Sequence, residues 1–249
     1  MNRQKERRLS IYGKTDLCDH SCGRCWKPPQ NDRPKQYIEV NGTPVIGYVL
    51  KTFQQNELVS KIIIVCNNEW HEYLDHWMAH NPIPKFCGYA DGGDSRQASI
   101  YSGLRLAKMD GIEDEDVVVI HDSARPNLSQ KVLTAVLKKA IEFDGCMATI
   151  TVKDGCYYSE DGEHVMRPVD RDKLHAGQTP EAFKFGKYYY AHDGVTNAEL
   201  ATFRGTSEIG LKHGMDIHIV PGEDINYKIT IMEDLEKFKF EQEEANKQG

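Results

Sequence analysis

An α/β domain, doubly wound around a mostly parallel sheet and carrying a projecting β-hairpin arm, is the fold that three features of this sequence predict. Two runs, Lys61 to Cys66 and Asp116 to His121, are β-branched, apolar on both faces and bounded by polar residues. Strands covered on both sides of a parallel sheet have this character. Longer segments with helical spacing lie between them, and strand alternating with helix implies right-handed crossovers and a layered architecture. One stretch, Asp154 to Asp172, breaks the rhythm with the turn signal Glu160-Asp161-Gly162 between short aromatic or apolar runs. It reads as a hairpin that projects from the sheet.

Taken in order, residues 1–31 contain Pro28-Pro29, three cysteines and many charges, with no clear strand or helix. A doubly wound domain normally opens on a buried strand, so that strand is expected to be missing. From Tyr37 onward the alternation begins. Asn68 to His80 and Gln97 to Met109 have helical spacing, and Ser129 to Phe143 is a third helix with Ser129 as its N-cap. Met147 to Val152 and Ile217 to Val220 supply two further strands, and the chain from Ile231 is a helix ending in a solvated tail. With no internal repeat and no linker, residues 32–249 form one domain, with the arm at about 152–178.

Charged residues at 28% and hydrophobic ones at 39% are ordinary for a globular chain. A net charge of −7 argues against nucleic acid as the main partner, whose recognition needs clustered Lys and Arg. It leaves room for a small anionic substrate, because a few local cations define a pocket on an acidic protein. Met1 to Ser10 is basic, but no apolar segment of signal-peptide length follows it and no run is long enough to span a bilayer. Seven cysteines without a secretion signal suggest reduced thiols and a cytoplasmic protein.

Several short motifs then follow one another. Asp32-Arg33-Pro34-Lys35-Gln36-Tyr37 leads into Val40-Asn41-Gly42-Thr43-Pro44-Val45-Ile46. Gly92-Gly93-Asp94-Ser95-Arg96-Gln97-Ala98-Ser99 and His121-Asp122-Ser123-Ala124-Arg125-Pro126 come next. Val169-Asp170-Arg171, Gly177-Gln178-Thr179-Pro180 and Asn226-Tyr227-Lys228-Ile229-Thr230 complete the set, with Glu233-Asp234-Leu235 just after. In this order and spacing, over about residues 32–240, the chain resembles the cytidylyltransferases that act on methylerythritol 4-phosphate or ribitol 5-phosphate. The resemblance implies a nucleotide-diphospho-sugar transferase type of fold, transfer of CMP from CTP to a sugar-alcohol phosphate, and release of pyrophosphate. It implies Mg²⁺ as cofactor and a homodimer in which the arm crosses to the neighbouring subunit. The two acceptors belong to different biology, isoprenoid precursors in one case and teichoic acid or capsule polymers in the other. Gly177 tilts the reading slightly toward ribitol, since that group more often carries glycine there.

The chemistry explains the residue types. A phosphate oxygen attacks the α-phosphorus of CTP in line, so two anions must be brought together and the charge of the transition state offset by cations. Positioning supplies the rest, and no covalent intermediate is needed. The resemblance gives Lys35 the triphosphate near the reacting phosphorus, although a lone lysine is most often a solvated surface residue. It gives Gly92, Gly93, Asp94, Arg96 and Ser99 to the loop that recognises cytosine; a glycine pair alone is more often a turn, and Arg96 alone more often the partner of an acid. Asp122, just past a strand end where open α/β sheets bind ligands, is expected to hold Mg²⁺ or a substrate hydroxyl. Arg125 is expected to orient loops or bind anion. Arg171, Thr179 and Lys228 are expected to hold the acceptor's phosphate, with Arg171 reaching a neighbouring subunit. His121 is read as a satisfied histidine at a strand end, because the reaction needs no acid or base.

Departures from the family pattern touch the acceptor side. Asp154-Gly155 stands where Asp-Thr is usual, and Thr206-Ser207-Glu208 replaces the usual Thr-Asp-Glu or Thr-Asp-Ala. The larger departure is N-terminal. Family members open with a strand and a glycine-rich AGGxGxR loop whose backbone N–H groups wrap the triphosphate; here Asp19 to Pro29 stands instead. Cys18, Cys22 and Cys25 have the C-x₃-C-x₂-C spacing of an iron–sulfur site, but nothing else in the chain serves that chemistry. Back-translation of Asp19 to Pro29, moved forward by one nucleotide, permits IILAGGVGSR, the expected strand and loop. The same shift permits a start codon across Tyr12 and Gly13. Residues 1–31 therefore read as an out-of-frame translation ahead of an in-frame domain. The competing readings are a non-catalytic nucleotide-binding homologue and an iron–sulfur radical enzyme.

Overall fold

Alternation within one strand decides the layers. The computed structural model describes residues 9–14 and 33–248, with side chains over 33–247. In the strand Lys61–Val65, Ile62 and Ile64 point into one buried cluster, Ile63 and Val65 into another. Val117 and Val119 against Val118 and Ile120 do the same in the strand Val117–Asp122. A strand buried on both faces must be covered by helices on both, and the chain provides them.

The elements run β1 (Leu9–Lys14), β2 (Glu39–Val40), β3 (Thr43–Pro44), α1 (Val45–Gln55), β4 (Lys61–Val65), α2 (His71–His80), β5 (Phe86–Ala90), α3 (Arg96–Met109), β6 (Val117–Asp122), α4 (Gln130–Glu142) and β7 (Gly145–Thr151). They continue with β8 (Cys156–Tyr158), β9 (Arg167–Val169), β10 (His175–Lys184), α5 (Phe185–Asp193), α6 (Asn197–Leu200), α7 (Thr206–Lys212), β11 (Ile217–Pro221) and α8 (Met232–Gln248). The main sheet has the order β11-β7-β10-β6-β1-β4-β5. All neighbours are parallel except β10, which is antiparallel to both β6 and β7. The predicted α/β class and mostly parallel sheet are therefore observed. β10 was not legible, because Gly177, Thr179, Pro180 and Glu181 interrupt any apolar run.

The expectation of a missing first strand is corrected. The backbone of Leu9–Lys14 lies between β4 and β6, parallel to both. Two strands facing a gap present unpaired N–H and C=O rows, and backbone pairing accepts almost any extended segment that reaches them. Cys18, Cys22, Cys25 and the segment Asp19 to Pro29 lie outside the described residues.

α1, α2 and α4 cover one face through Ile46, Leu50, Phe53, Leu74, Leu133, Val136 and Leu137, while α3, α5 and α7 cover the other through Ile100, Leu104, Tyr188 and Ile209. α4 shows the local logic: Ser129 Oγ accepts the Val132 N–H at 3.2 Å as N-cap, and Leu133, Val136, Leu137 and Ala140 make the buried stripe. α8 docks Leu235 and Phe238 onto Val40, Val45 and Ile229, and the segment read as a solvated tail continues the helix to Gln248.

The arm is a two-stranded antiparallel ribbon, β8 with β9, Tyr157 facing Pro168. Its turn is closed by Asp161, whose Oδ1 accepts the N–H groups of Glu163 at 2.9 Å and His164 at 2.8 Å, and by Gly162 at φ 78°. Tyr157, Val165 and Met166 stand 65%, 68% and 61% exposed on it.

Two buried histidines make stability depend on acid. Burial pushes His121 and His192 down to about 4. A depressed pKa means that the folded state resists protonation, so this stability is complete above the unfolded value near 6.5 and is lost as pH falls through 4. Each contributes on the order of 3 kcal/mol across that window. Urea unfolding is expected to show stability falling from about pH 6.5 to 4, with a shallower slope in His192→Gln; equal slopes would remove His192 from the account.

Candidate active site

Carboxyl ends of parallel strands are where loops can converge without being covered by helices, and β6 ends on Asp122. Its carboxylate is buried, 3% exposed, and faces three cations. Arg96 Nη1 donates to Oδ1 at 2.7 Å, Lys228 Nζ stands 3.4 Å from Oδ2, and Arg125 Nε stands 3.6 Å from it. Burial alone would raise this carboxyl; Arg96, Lys228 and Arg125 more than offset it and hold Asp122 well below the usual carboxylate range.

Each cation is delivered by a different element. Arg96 is the first residue of α3, whose N-cap Ser95 accepts the Ala98 N–H at 3.1 Å. Its Nη2 and Nε also donate to Thr206 Oγ1 at 2.7 and 3.3 Å. Arg125 follows β6 in a turn closed by its own N–H to the Asp122 carbonyl, and its Nη1 donates to the Asn226 carbonyl at 2.8 Å. Lys228 sits on the loop before α8, which is fastened to the β6 loop by the Ile229 N–H to the Ala124 carbonyl at 2.8 Å. Thr179, 3% exposed on β10, accepts the Asp122 N–H at 3.0 Å, and its carbonyl accepts Asn226 Nδ2 at 2.8 Å.

Sequence reasoning thus named five groups that the fold brings together: Arg96, Asp122, Arg125, Thr179 and Lys228. The glycine loop abuts them through α3. Gly93 N–H donates to Ser99 Oγ at 3.0 Å, and a Cβ on Gly93 would come within 2.8 Å of the Ala98 backbone, so only glycine fits. Gly92 packs against Asn67, and Asp94 is exposed. Lys35 stands on a separate 3-10 turn, Lys35–Tyr37, pinned by buried Tyr37 stacked on Trp70 with ring centroids 4.1 Å apart. Arg171 is not brought in: on the arm, its Nη1 donates to the Lys153 carbonyl at 2.6 Å and its Nε stands 4.0 Å from Asp172. His121, expected to be a satisfied histidine, is only half so: its Nε2–H donates to the Arg125 carbonyl at 3.0 Å, while its buried Nδ1 has no hydrogen-bond partner among the described residues.

Thr206, Ser207, Glu181, Gln97 and Asn226 were missed as functional supports. Thr206-Ser207 was legible only as a departure in pattern, while Glu181 follows Thr179-Pro180 directly in a strand the sequence did not reveal. An open groove of 510 Å³, lined by Asp114, Glu142, Asp144, Lys184, Lys187 and Tyr190, lies at the opposite end of the strands and shares no residue with this cluster.

The protein's own groups do not fit a resident Mg²⁺ site. Mg²⁺ asks for several open oxygen donors, whereas the Asp122 oxygens are already taken up by guanidinium and ammonium groups. Among the described residues no group of three His, Cys, Asp or Glu side chains stands together for a metal. The expectation of Asp122 as a metal ligand does not suit these surroundings.

A layered α/β sheet with a cation cluster at the carboxyl end of its central strand, beside a glycine loop opening a helix, suits the binding of an anionic nucleotide, and the comparisons with known proteins give the class, a nucleotidyltransferase. The sequence profile of the family described as IspD, 2-C-methyl-D-erythritol 4-phosphate cytidylyltransferase, matches residues 26–242. A protein of that name from Clostridium beijerinckii is 32% identical over 205 residues, covering 82% of this chain and 88% of the relative. Another, from Lachnospira eligens, is 33% identical over 224 residues, covering 86% and 93%. The chain belongs to this family and is a cytidylyltransferase. Its fold matches the 4-diphosphocytidyl-2C-methyl-D-erythritol synthase of Anaerococcus prevotii, with a TM-score of 0.76, 20% identity and coverage of 96% of this chain and 97% of that one. The Francisella tularensis 2-C-methyl-D-erythritol 4-phosphate cytidylyltransferase gives a TM-score of 0.73, 22% identity and coverage of 94% and 99%.

Proposed function

We propose that this enzyme transfers CMP from Mg·CTP to 2-C-methyl-D-erythritol 4-phosphate and releases pyrophosphate. The observation that carries the reading is the convergence of Arg96, Arg125 and Lys228 on one carboxylate at a strand end. With Asp122 counted, the cluster is net positive in a chain of net charge −7, which focuses anionic substrates onto it. Asp122 keeps the cations extended and oriented before substrate arrives, so little reorganisation accompanies charge development.

In this reading Lys228, 29% exposed at its side chain, and Thr179 receive the acceptor phosphate. Lys35 and Lys228 offset charge around the α-phosphorus, and Gly92, Gly93, Asp94 and Ser99 frame the base. Mg²⁺ enters as part of the nucleotide substrate, where it would neutralise triphosphate oxygens. Arg171 completes the acceptor pocket of a second copy of the chain, and the exposed Tyr157, Val165 and Met166 supply the apolar contact for that dimer. Among the described residues no helix is long and apolar enough to cross a membrane; the described cysteines Cys66, Cys87, Cys146 and Cys156 are free thiols, which suits a reducing cytoplasm.

The family match favours methylerythritol 4-phosphate over ribitol 5-phosphate. Gly177 tilted the sequence reading the other way; a Cβ there would meet only the flexible terminal methyl of Met147, at 2.7 Å, so packing does not require glycine at this position. The test is CTP-dependent pyrophosphate release with each acceptor, by the 249-residue chain and by a frame-restored form carrying IILAGGVGSR. Release with methylerythritol 4-phosphate is expected. Release with ribitol 5-phosphate alone would overturn the acceptor, and none with either would overturn the reaction.

A further inference from the structure

Away from the cation cluster, the fold pairs two histidines that the proposed reaction does not use. α2 runs back from the carboxyl end of β4 to the amino end of β5, so its last turn lies at the far end of the sheet from Asp122. His76 and His80 are both exposed there, one helical turn apart. Residues four apart share one face of a helix, and the two rings stand with centroids 5.1 Å apart and planes tilted by 56°. Leu74 and Trp77 anchor the opposite side of α2 in the core, so the histidine face rides on a fixed support.

An exposed histidine on a helix needs no explanation by itself, but this pair has two further properties. The first is spacing. Two imidazoles that share one cation at about 2.1 Å through their ring nitrogens place their centroids about 5 Å apart, which is the separation already present. The second is the tautomer. His80 Nδ1 stands 3.0 Å from the His76 carbonyl. A carbonyl oxygen only accepts, so in the neutral ring Nδ1 carries the hydrogen and Nε2 keeps its lone pair. A ring whose Nδ1–H is tied to a backbone carbonyl is the form in which Nε2 ligates a metal. His80 also closes α2, where the partial negative charge of the helix end favours a cation.

We propose that His76 and His80 form a two-histidine site for a divalent cation of the Cu²⁺, Ni²⁺ and Zn²⁺ class, distinct from the Mg²⁺ that accompanies nucleotide. Imidazole nitrogen suits these ions, whereas Mg²⁺ and Ca²⁺ ask for oxygen donors. Cu²⁺ is the tightest of the series. Among the described residues no third His, Cys, Asp or Glu joins the pair, so the remaining positions on the ion are open to water or a small chelate. An ion held by both rings clamps the last turn of α2. It binds the folded helix better than an unfolded chain, in which nothing holds the rings together, and therefore stabilises the protein.

The test uses the untagged 249-residue chain with its exposed thiols alkylated, so that cysteines neither bind nor reduce the ion. The probe is Cu²⁺ carried by iminodiacetate, which leaves room for two adjacent ligands, read by electron spin-echo modulation. The unaltered chain is expected to show the combination lines of two imidazoles on one copper. His76→Ala and His80→Ala are each expected to show single-imidazole modulation only, with affinity about 100-fold weaker because the gain from chelation is lost. Zn²⁺ is expected to raise the thermal midpoint of the unaltered chain and not of either variant; midpoints without metal check that the variants fold. A single-imidazole signal from the unaltered chain, or a two-imidazole signal that persists in either variant, overturns the proposal. So does an affinity that changes by less than about threefold in both variants.

Discussion

Replacing residues 1–31 with the frame-restored segment is expected to raise CTP-dependent pyrophosphate release by about 100-fold or more, since deleting even one preorganised oxyanion donor costs a rate factor of that size. The segment permitted by the shifted frame, IILAGGVGSR, supplies consecutive backbone N–H groups suited to cradle a triphosphate. The sequence as written has no glycine-rich run before Asp32, while everything after it follows the family's order of motifs. The described backbone narrows the expectation. Leu9–Lys14 already occupies the sheet position between β4 and β6, so the difference should appear in turnover and CTP affinity rather than in whether the sheet is complete. Steady-state release by the two forms, side by side, decides it. Comparable turnover would refute the idea, as would a gene whose codons cannot spell the restored segment.

Asp122→Asn is expected to destabilise the protein by about 3 kcal/mol and to abolish measurable turnover. The carboxylate is buried among Arg96, Arg125 and Lys228, and its removal leaves three cations facing one another across a partly closed pocket. The upper part of the range for a broken buried pair is discounted, because those side chains keep 19%, 14% and 29% of their exposure and are screened accordingly. The cations depress the Asp122 pKa, so its contribution is complete above the unfolded value near 3.9 and is lost only as pH falls through a folded value well below that. The deficit in urea unfolding should therefore be nearly constant from about pH 5 to 8, and added pyrophosphate should recover part of it by supplying the missing negative charge. A deficit under about 1 kcal/mol would mean that Asp122 does not anchor the cluster.

Much of the fold was legible because burial on both faces leaves a plain signature. KIIIVC and DVVVIH could be read as central strands without any tertiary information, and Ser129 marked the start of α4 through capping chemistry that is local. β10 was not legible. Its buried polar residues Gln178, Thr179 and Glu181 find partners on three other segments: Glu223 and Asn226 on the loop before α8, Asp122 on β6 and Ser207 on α7. Nothing along the strand itself announces that those partners will be there.

The site divides in the same way. Composition and motif order determined the kinds of group present: cations in a chain of net charge −7, a glycine pair before a capped helix, and an aspartate at the end of a central strand. They also determined the family, because an ordered set of short motifs survives where any single one is ambiguous. Only the tertiary structure decided that Arg96, Arg125 and Lys228 share one carboxylate and that Arg171 stays with Lys153 on the arm. It alone set the buried Glu181 carboxylate against the Ser207 hydroxyl beside the cluster. The reason is physical. Strand and helix signals arise from a periodicity that neighbours in sequence share, whereas the partners of a buried charge are chosen by loops that meet only after the sheet has formed.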